Sequence, residues 1–250
     1  MRVLLFVFMH QSPFQFPILS RRKRTKLLTY AKYALSAQHD MTTTTGRNIV
    51  HYTLQDNEKH LHMEHYPKGD RIDKKTGAQY FYHCHREDFE QFEHGHFHCF
   101  MRYPQIPKRI KPTPLRDWDK YIDNPMTHLI AISMSQYGQP IRLFTVNRWI
   151  SSEVWYDSKH IHANLNRFKM SLTDSPYWQI LDHWIASILN LFSPQIAWLH
   201  HQRDQMIRIL QTQQPHTSNP ESIYDDRTIE ELSSIPINIE AQIKWLLETP

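Results

Sequence analysis

The sequence predicts an α+β fold, in which an antiparallel sheet of about six strands packs against a C-terminal helical layer and one further helix precedes the sheet. Apolar residues recur at helical spacing from Arg22 to His39, short β-type runs fill residues 48–150, and helical spacing returns after Tyr156. Of the 250 residues, 40% are hydrophobic and 22% are charged, which is typical of a globular protein rather than a disordered chain.

The first twenty residues are predicted to be a leader or a disordered extension that precedes a single α+β domain of residues 21–250. The apolar run Val3 to Met9 is followed by no small-x-small cleavage site, and it is too short to cross a bilayer, which takes about 20 residues. Two cysteines, Cys84 and Cys99, are compatible with a reducing compartment. We therefore expect a cytoplasmic protein without a membrane partner.

The N-terminal helix is predicted over residues 21–40, where Leu27, Ala31 and Leu35 share one side. Turn residues then separate the extended runs of residues 48–150, and strands joined by short connections pair in antiparallel fashion. The predicted strands are Ile49–Leu54, His60–Tyr66, Gln79–Arg86, His94–Arg102, His128–Met134 and Ile141–Arg148.

The helical layer is predicted over residues 157–249. Its helices begin at Asp157-Ser158, at Ser175-Pro176 and at Ser193-Pro194, where a capping side chain precedes the first turn. A last helix is predicted from Asn238 to Glu248. The sequence shows no internal repeat and no linker, which favours one domain.

The net charge of +4 comes mostly from the run Arg21 to Lys26. A nucleic-acid groove would spread basic residues over a folded face and interleave them with aromatic residues, so we expect no nucleic-acid partner. A small-molecule ligand is compatible with the polar and aromatic cluster after the sheet, although these residues equally suit the edge of the core. The cluster comprises Asn147, Arg148, Trp149, Glu153, Trp155 and Tyr156. The sequence does not indicate an oligomeric state.

The most informative segment is a histidine-rich hairpin. Because side chains alternate along a strand, His83 and His85 share one face of the first strand, and His94, His96 and His98 share one face of the second. One simple register pairs His83 with His96, His85 with His94, and Tyr82 with Phe97. Opposed residues then have Cβ atoms about 4.5–5.5 Å apart, and both cysteines lie on the other face.

Five imidazoles on one face would need partners if neutral and would repel one another if protonated. A divalent cation, Zn or Fe, resolves both problems by binding one nitrogen of about three rings. The predicted metal ligands are His83, His85, His94, His96 and His98. Nearby loop carboxylates would complete or orient the site, and Glu87, Glu90 and His96 are the catalytic candidates. A solvated or structural histidine face and metal-free catalysis remain alternatives.

Two short motifs give this hairpin a resemblance to known families. The spacing of Gly77, His83, His85, Glu90 and Gly95 resembles the first motif of the cupins, which implies that the two histidines and the glutamate bind a metal. His128 would stand in for the later histidine ligand, although the spacing alone favours a satisfied core residue there.

The run His94-Gly95-His96-Phe97-His98 is similar to the signature of the histidine-triad nucleotide hydrolases and transferases. That resemblance implies that His96 is a nucleophile toward an α-phosphate and that His98 contacts the phosphate. Gly95 departs from the larger apolar residue of that motif.

A longer resemblance, from about residue 60 to 250, is to a bacterial protein family to which no activity is assigned. It is carried by Tyr82–Arg86, Glu93–His98, Thr127–Met134 and Pro140–Trp149. The sequence thus favours a metal-binding protein with one mononuclear site, and metal-assisted chemistry on a small molecule, over a non-enzymatic binding or structural module or a nucleotide hydrolase.

Overall fold

The computed structural model describes residues 12–55, 64–84, 93–116, 123, 125–213 and 219–248. Within them a six-stranded antiparallel sheet runs in sequence order, each strand pairing with the next, so the α+β prediction is confirmed. The strands are β1 (Tyr66–Ile72), β2 (Ala78–Cys84), β3 (Gly95–Arg102), β4 (Met126–Met134), β5 (Pro140–Val146) and β6 (Glu231–Pro236).

Seven α-helices accompany the sheet in the described residues. They are α1 (Arg21–Thr45), α2 (Ile49–Leu54), α3 (Arg148–Ser151), α4 (Ser158–Leu165), α5 (Pro176–Leu191), α6 (Ser193–Gln213) and α7 (Ile239–Glu248). The three predicted starts at Asp157, Ser175 and Ser193 lie within one residue of the observed ones. None of the helices in the described ranges has the length and apolar character that a membrane span requires.

Helix α1 is capped at both ends. The Ser20 hydroxyl accepts a hydrogen bond from the Lys23 amide at 3.3 Å, and Gly46, with φ of 68°, donates its N–H to the Thr42 carbonyl at 2.8 Å. Small residues, including Ala31 and Ala34, line its buried side, which packs against α5. The helix is five residues longer than predicted, and in this added part the hydroxyls of Thr42 to Thr45 bond to carbonyls four residues back.

The segment Ile49–Leu54 was predicted to be a strand, and that prediction is wrong. Its β-branched and aromatic residues form the short helix α2, where the Asn48 side chain accepts a hydrogen bond from the His51 amide at 3.0 Å. Every residue of α2 except His51 is buried, so tertiary packing outweighs the local preference for a strand.

The first and last strands also differ from the prediction. His60–Tyr66 was predicted as a strand, but β1 begins only at Tyr66 and runs to Ile72, with an irregular register before Arg71. Residues 60–63 lie outside the described residues. Strand β6 falls within the predicted helical layer of residues 157–249, and it pairs with β5, where Leu143 opposes Ile235.

The sheet has two different faces. The helix face carries Tyr80, Phe97 and Ile132, which belong to the same core as Leu181 and Trp184 of α5. Both cysteines are buried in this helix-facing core, as the alternation predicted, and neither forms a disulfide. The opposite face, which we call the histidine face, carries the three histidines described below.

Residues 12–20 contact the helices, whereas residues 1–11 lie outside the described part of the chain. The Ser12 amide donates to the Gln202 side chain at 2.8 Å, and the Phe14 ring lies 5.6 Å from that of Trp198. Leu19 is buried in the core. The domain boundaries and the cytoplasmic location remain predictions.

Candidate metal centre

The hairpin register brings the predicted histidines together. Strands β2 and β3 pair Tyr82 with Phe97 and His83 with His96, as the sequence predicted. His98 lies two residues further along β3 and therefore on the same face as His96. The three side chains are 7%, 6% and 3% exposed for His83, His96 and His98, so the group, which we call the histidine triad, is buried.

The Nε2 atoms of the triad converge. Nε2 of His96 lies 2.6 Å from Nε2 of His83 and 3.0 Å from Nε2 of His98. One potential ligand atom from each ring lies within 4.8 Å of the others, so the triad could hold a metal ion. At these separations neighbouring ring nitrogens share a hydrogen bond, one nitrogen donating and the other accepting.

Charged groups orient His96 through Nδ1, the ring nitrogen that does not face the triad. Its Nδ1 lies 2.7 Å from Oε1 of Glu93, and the other Glu93 oxygen accepts from Arg142 at 3.0 Å. Arg142 also bonds to Glu231 of β6. Burial by itself would lower the pKa of Arg142, but the two carboxylates outweigh it and the pKa is raised. Because a carboxylate favours a proton on Nδ1, Nε2 of His96 keeps its lone pair for a ligand.

A fourth histidine orients His98. Nδ1 of His98 lies 3.0 Å from Nε2 of His128. The alternation of β4 predicted His128 on the face of Ile130 and Ile132, but a bulge shifts the register so that Cys99 opposes Ile130 while Phe100 opposes His128. The bulge turns His128 toward the histidine face, and the local sequence gave no sign of it.

Both of these histidines are neutral in the fold. Burial, together with the other triad histidines and His128, lowers the pKa of His98 well below its ordinary value. Burial and the charge of Arg203 lower the pKa of His128 to about 3. Neutral imidazole is the form that binds a metal, so His98 is in the protonation state that metal binding requires at neutral pH.

Aromatic rings surround the triad. The Phe81 ring lies 5.2 Å from that of His98, and the Phe144 ring lies 5.0 Å from that of His96. His65, 43% exposed, stacks on Phe81 at 3.6 Å between centroids and bonds through Nδ1 to Asp70 at 2.8 Å. The sequence reasoning did not single out His65. The apolar frame limits water around the triad and leaves His65 at its solvent edge.

The residues present fit a tetrahedral metal ion. Ligand nitrogens 2.0–2.1 Å from zinc are about 3.3 Å apart at the tetrahedral angle. The His96–His98 separation of 3.0 Å would therefore have to widen by about 0.3 Å, and the His83–His96 separation of 2.6 Å by about 0.7 Å. The hydroxyl of Ser133 is buried opposite His96 and has no hydrogen-bond partner in the described structure. Three nitrogens leave a fourth position for another ligand.

The remaining predicted site residues have different positions. His94 lies just before β3, and its Nδ1 is 2.9 Å from the hydroxyl of Tyr82, a residue of the helix face. It is therefore not brought to the triad. His85, Glu87 and Glu90 lie outside the described residues. His128, which the cupin resemblance offered as a ligand, holds His98 instead, so its Nε2 is already engaged.

The cluster after the sheet supports β4 and the adjoining loops. Glu153 accepts hydrogen bonds from the His128 amide at 2.8 Å and from the Thr127 hydroxyl at 3.0 Å. Asn147 caps α3 by accepting from the Arg148 amide at 2.9 Å. Arg142 and Glu231 were not predicted as site residues, because the contacts of Arg142 with Glu93 and with Glu231 join positions far apart in sequence.

Comparisons with known proteins give one match. No curated protein and no solved structure matched the chain. A family model matched residues 29–237, a span that contains the described triad and all six strands of the sheet. The chain therefore belongs to the family described as Domain of unknown function (DUF6969).

Proposed function

We propose that this protein binds a single divalent transition-metal ion, zinc in the first instance, through Nε2 of His83, His96 and His98. The observation that carries the proposal is the convergence of those nitrogens within 4.8 Å on a buried face. The hydrogen bond between Nδ1 of His96 and Glu93 supports the proposal, because metal-binding histidines usually donate their other N–H to a carboxylate or carbonyl.

The choice of zinc rests on the donor set. Three imidazoles and an open fourth position are characteristic of zinc sites, whereas non-haem iron(II) sites typically use two histidines and one carboxylate. In the described structure Glu93 faces Nδ1 of His96, the side away from the triad nitrogens. An ion held in this way would lower the pKa of water or polarise a small molecule at the fourth position.

Metal analysis of the full chain, purified without an affinity tag, tests the proposal. We expect about one zinc ion per chain after chelation and reconstitution. In His96→Gln and in His98→Gln we expect a zinc content near zero. The matched control is His201→Gln, which changes an exposed histidine of α6 and should keep full zinc content. Stoichiometric zinc in both triad variants, or none in the unaltered chain, would contradict the proposal.

Zinc should also stabilise the fold. A ligand that binds only the native state at a free concentration 100 times its Kd raises the free energy of unfolding by about 2.7 kcal/mol. We therefore expect a higher thermal midpoint with zinc than after chelation, and no such difference in His96→Gln. An equal response of that variant would assign the stabilisation to other residues.

A further inference from the structure

A polar cavity lies in the helical layer, and none of the triad histidines lines it. It has a volume of about 430 Å³ and is formed by the start of α1 together with residues of α4, α5 and α6. Its lining includes three cationic side chains and no carboxylate among the described residues. The lining side chains used below are those of Arg22, Lys23, Lys26, His162 and Ser193.

The charges at this cavity are arranged unfavourably for an isolated helix. The N-terminal end of a helix carries positive partial charge and favours acidic residues, yet the first turn of α1 has none and begins with Arg21, Arg22, Lys23 and Arg24. Within the described structure, Arg22, Lys23 and Lys26 form no ion pair that would neutralise them. An anion in the cavity would relieve this repulsion.

Two polar groups of the cavity wall support this interpretation. Ser193 is 7% exposed, and its hydroxyl makes no hydrogen bond in the described part of the chain. Nδ1 of His162 is buried and likewise has no hydrogen-bond partner there. Buried polar atoms are normally bonded, so the unpaired Nδ1 of His162, together with the Ser193 hydroxyl at the cavity wall, favours a ligand that forms hydrogen bonds beside the three cations.

We infer that this cavity binds a small phosphate-bearing anion, inorganic phosphate or a phosphomonoester. Phosphate oxygens accept charge-assisted hydrogen bonds from lysine and arginine, and helix N-termini favour them. The volume lies within the range of small-molecule sites. The inference is independent of the metal proposal, because the cavity and the triad share no residue.

Titration of the full chain with inorganic phosphate at constant ionic strength, followed by calorimetry, tests the inference. We expect saturable binding of one phosphate, weakened at least tenfold in the double variant Lys23→Gln with Lys26→Gln and several-fold in Ser193→Ala. The matched control is Lys32→Gln, which removes the same charge from the exposed surface of α1 outside the cavity lining and should keep its affinity within about twofold.

Three results would overturn the inference. The first is the absence of saturable phosphate binding by the unaltered chain. The second is a loss of affinity in Lys32→Gln as large as the loss in the double variant. The third is tighter binding of a twelve-nucleotide single strand or an anionic lipid vesicle than of phosphate. In that case Arg21→Gln, which lies outside the cavity lining, would weaken the binding of that polyanion as much as the double variant does. That result would assign the basic run to an extended polyanion surface.

Discussion

At the scale of single residues, His96 connects the metal centre to the rest of the sheet. Nε2 of His96 faces His83 and His98, and Nδ1 faces Glu93. The second oxygen of Glu93 accepts a hydrogen bond from Arg142. The residue types that favour metal binding were visible in the sequence. Which nitrogen of His96 faces the ion depends on Glu93 and Arg142, whose contact only the folded sheet creates.

Replacing Glu93 with glutamine tests this dependence. The amide can accept the same hydrogen bond from Nδ1, but it lacks the negative charge that fixes the tautomer and raises the basicity of His96. Losses of about tenfold to a hundredfold in metal affinity are typical for such partners, and we expect a loss of that size in a zinc competition titration. Glu230→Gln, which changes an exposed carboxylate beside β6, is the control. Equal affinities in the two variants would show that the carboxylate does not tune the site.

At the scale of elements, the β2–β3 hairpin was the best-predicted part of the chain. Its register follows from side-chain alternation on two strands close in sequence, so local pattern was enough. The close approach of its strands depends on Gly95, which opposes Cys84. A Cβ added there would overlap the His83 carbonyl oxygen and lie 2.7 Å from the Tyr82 hydroxyl oxygen. This contact explains why Gly95 departs from the histidine-triad signature.

Gly95→Ala is therefore expected to separate the strands beside His83. Overpacking of this kind usually costs about 1–3 kcal/mol, and we expect a loss of that size in the free energy of unfolding measured with urea. Metal affinity should fall with it, because His83 and His96 are paired next to Gly95. Gly46→Asn is the control, since its position is open and asparagine tolerates positive φ. A Gly95→Ala chain as stable as the unaltered chain would contradict the close-approach explanation.

At the scale of the whole molecule, buried neutral histidines extend beyond the metal centre. His200 of α6 is 1% exposed, and its Nε2 lies 2.6 Å from the Leu129 carbonyl oxygen of β4. Burial, followed by the charge of Arg203, lowers the pKa of His200 well below its ordinary value. This histidine therefore joins the helical layer to the sheet as a neutral side chain.

The lowered pKa of His200 predicts a loss of stability in acid. The unfolded chain binds the proton near pH 6.5 and the native state does not, so the free energy of unfolding is highest above that pH and falls on acidification toward the native pKa. The largest slope from one such group is about 1.4 kcal/mol per pH unit. Buried carboxyls with raised pKa, such as Glu153, act in the opposite direction, so a variant must isolate the histidine.

His200→Gln provides that comparison, because glutamine can still donate to the Leu129 carbonyl but does not titrate. We expect the free energy of unfolding of this variant to depend less steeply on pH between 6.5 and 5 than that of the unaltered chain, in urea titrations at each pH. His201→Gln, an exposed neighbour, should keep the original slope. Identical slopes for all three chains would mean that His200 is not the titrating group.

The sequence by itself determined the α+β class, the positions of the three later helix starts and the pairing of His83 with His96, because periodicity, turn residues and alternation act over a few residues. Asp157 and Ser175 mark those starts without making the side-chain capping bonds that their residue types predict. The tertiary structure decided the rest. Ile49–Leu54 became a helix through burial, β6 joined the sheet by pairing with β5, and a bulge turned His128 toward His98. Those outcomes depend on contacts between segments distant in the chain, whose energies no local pattern contains.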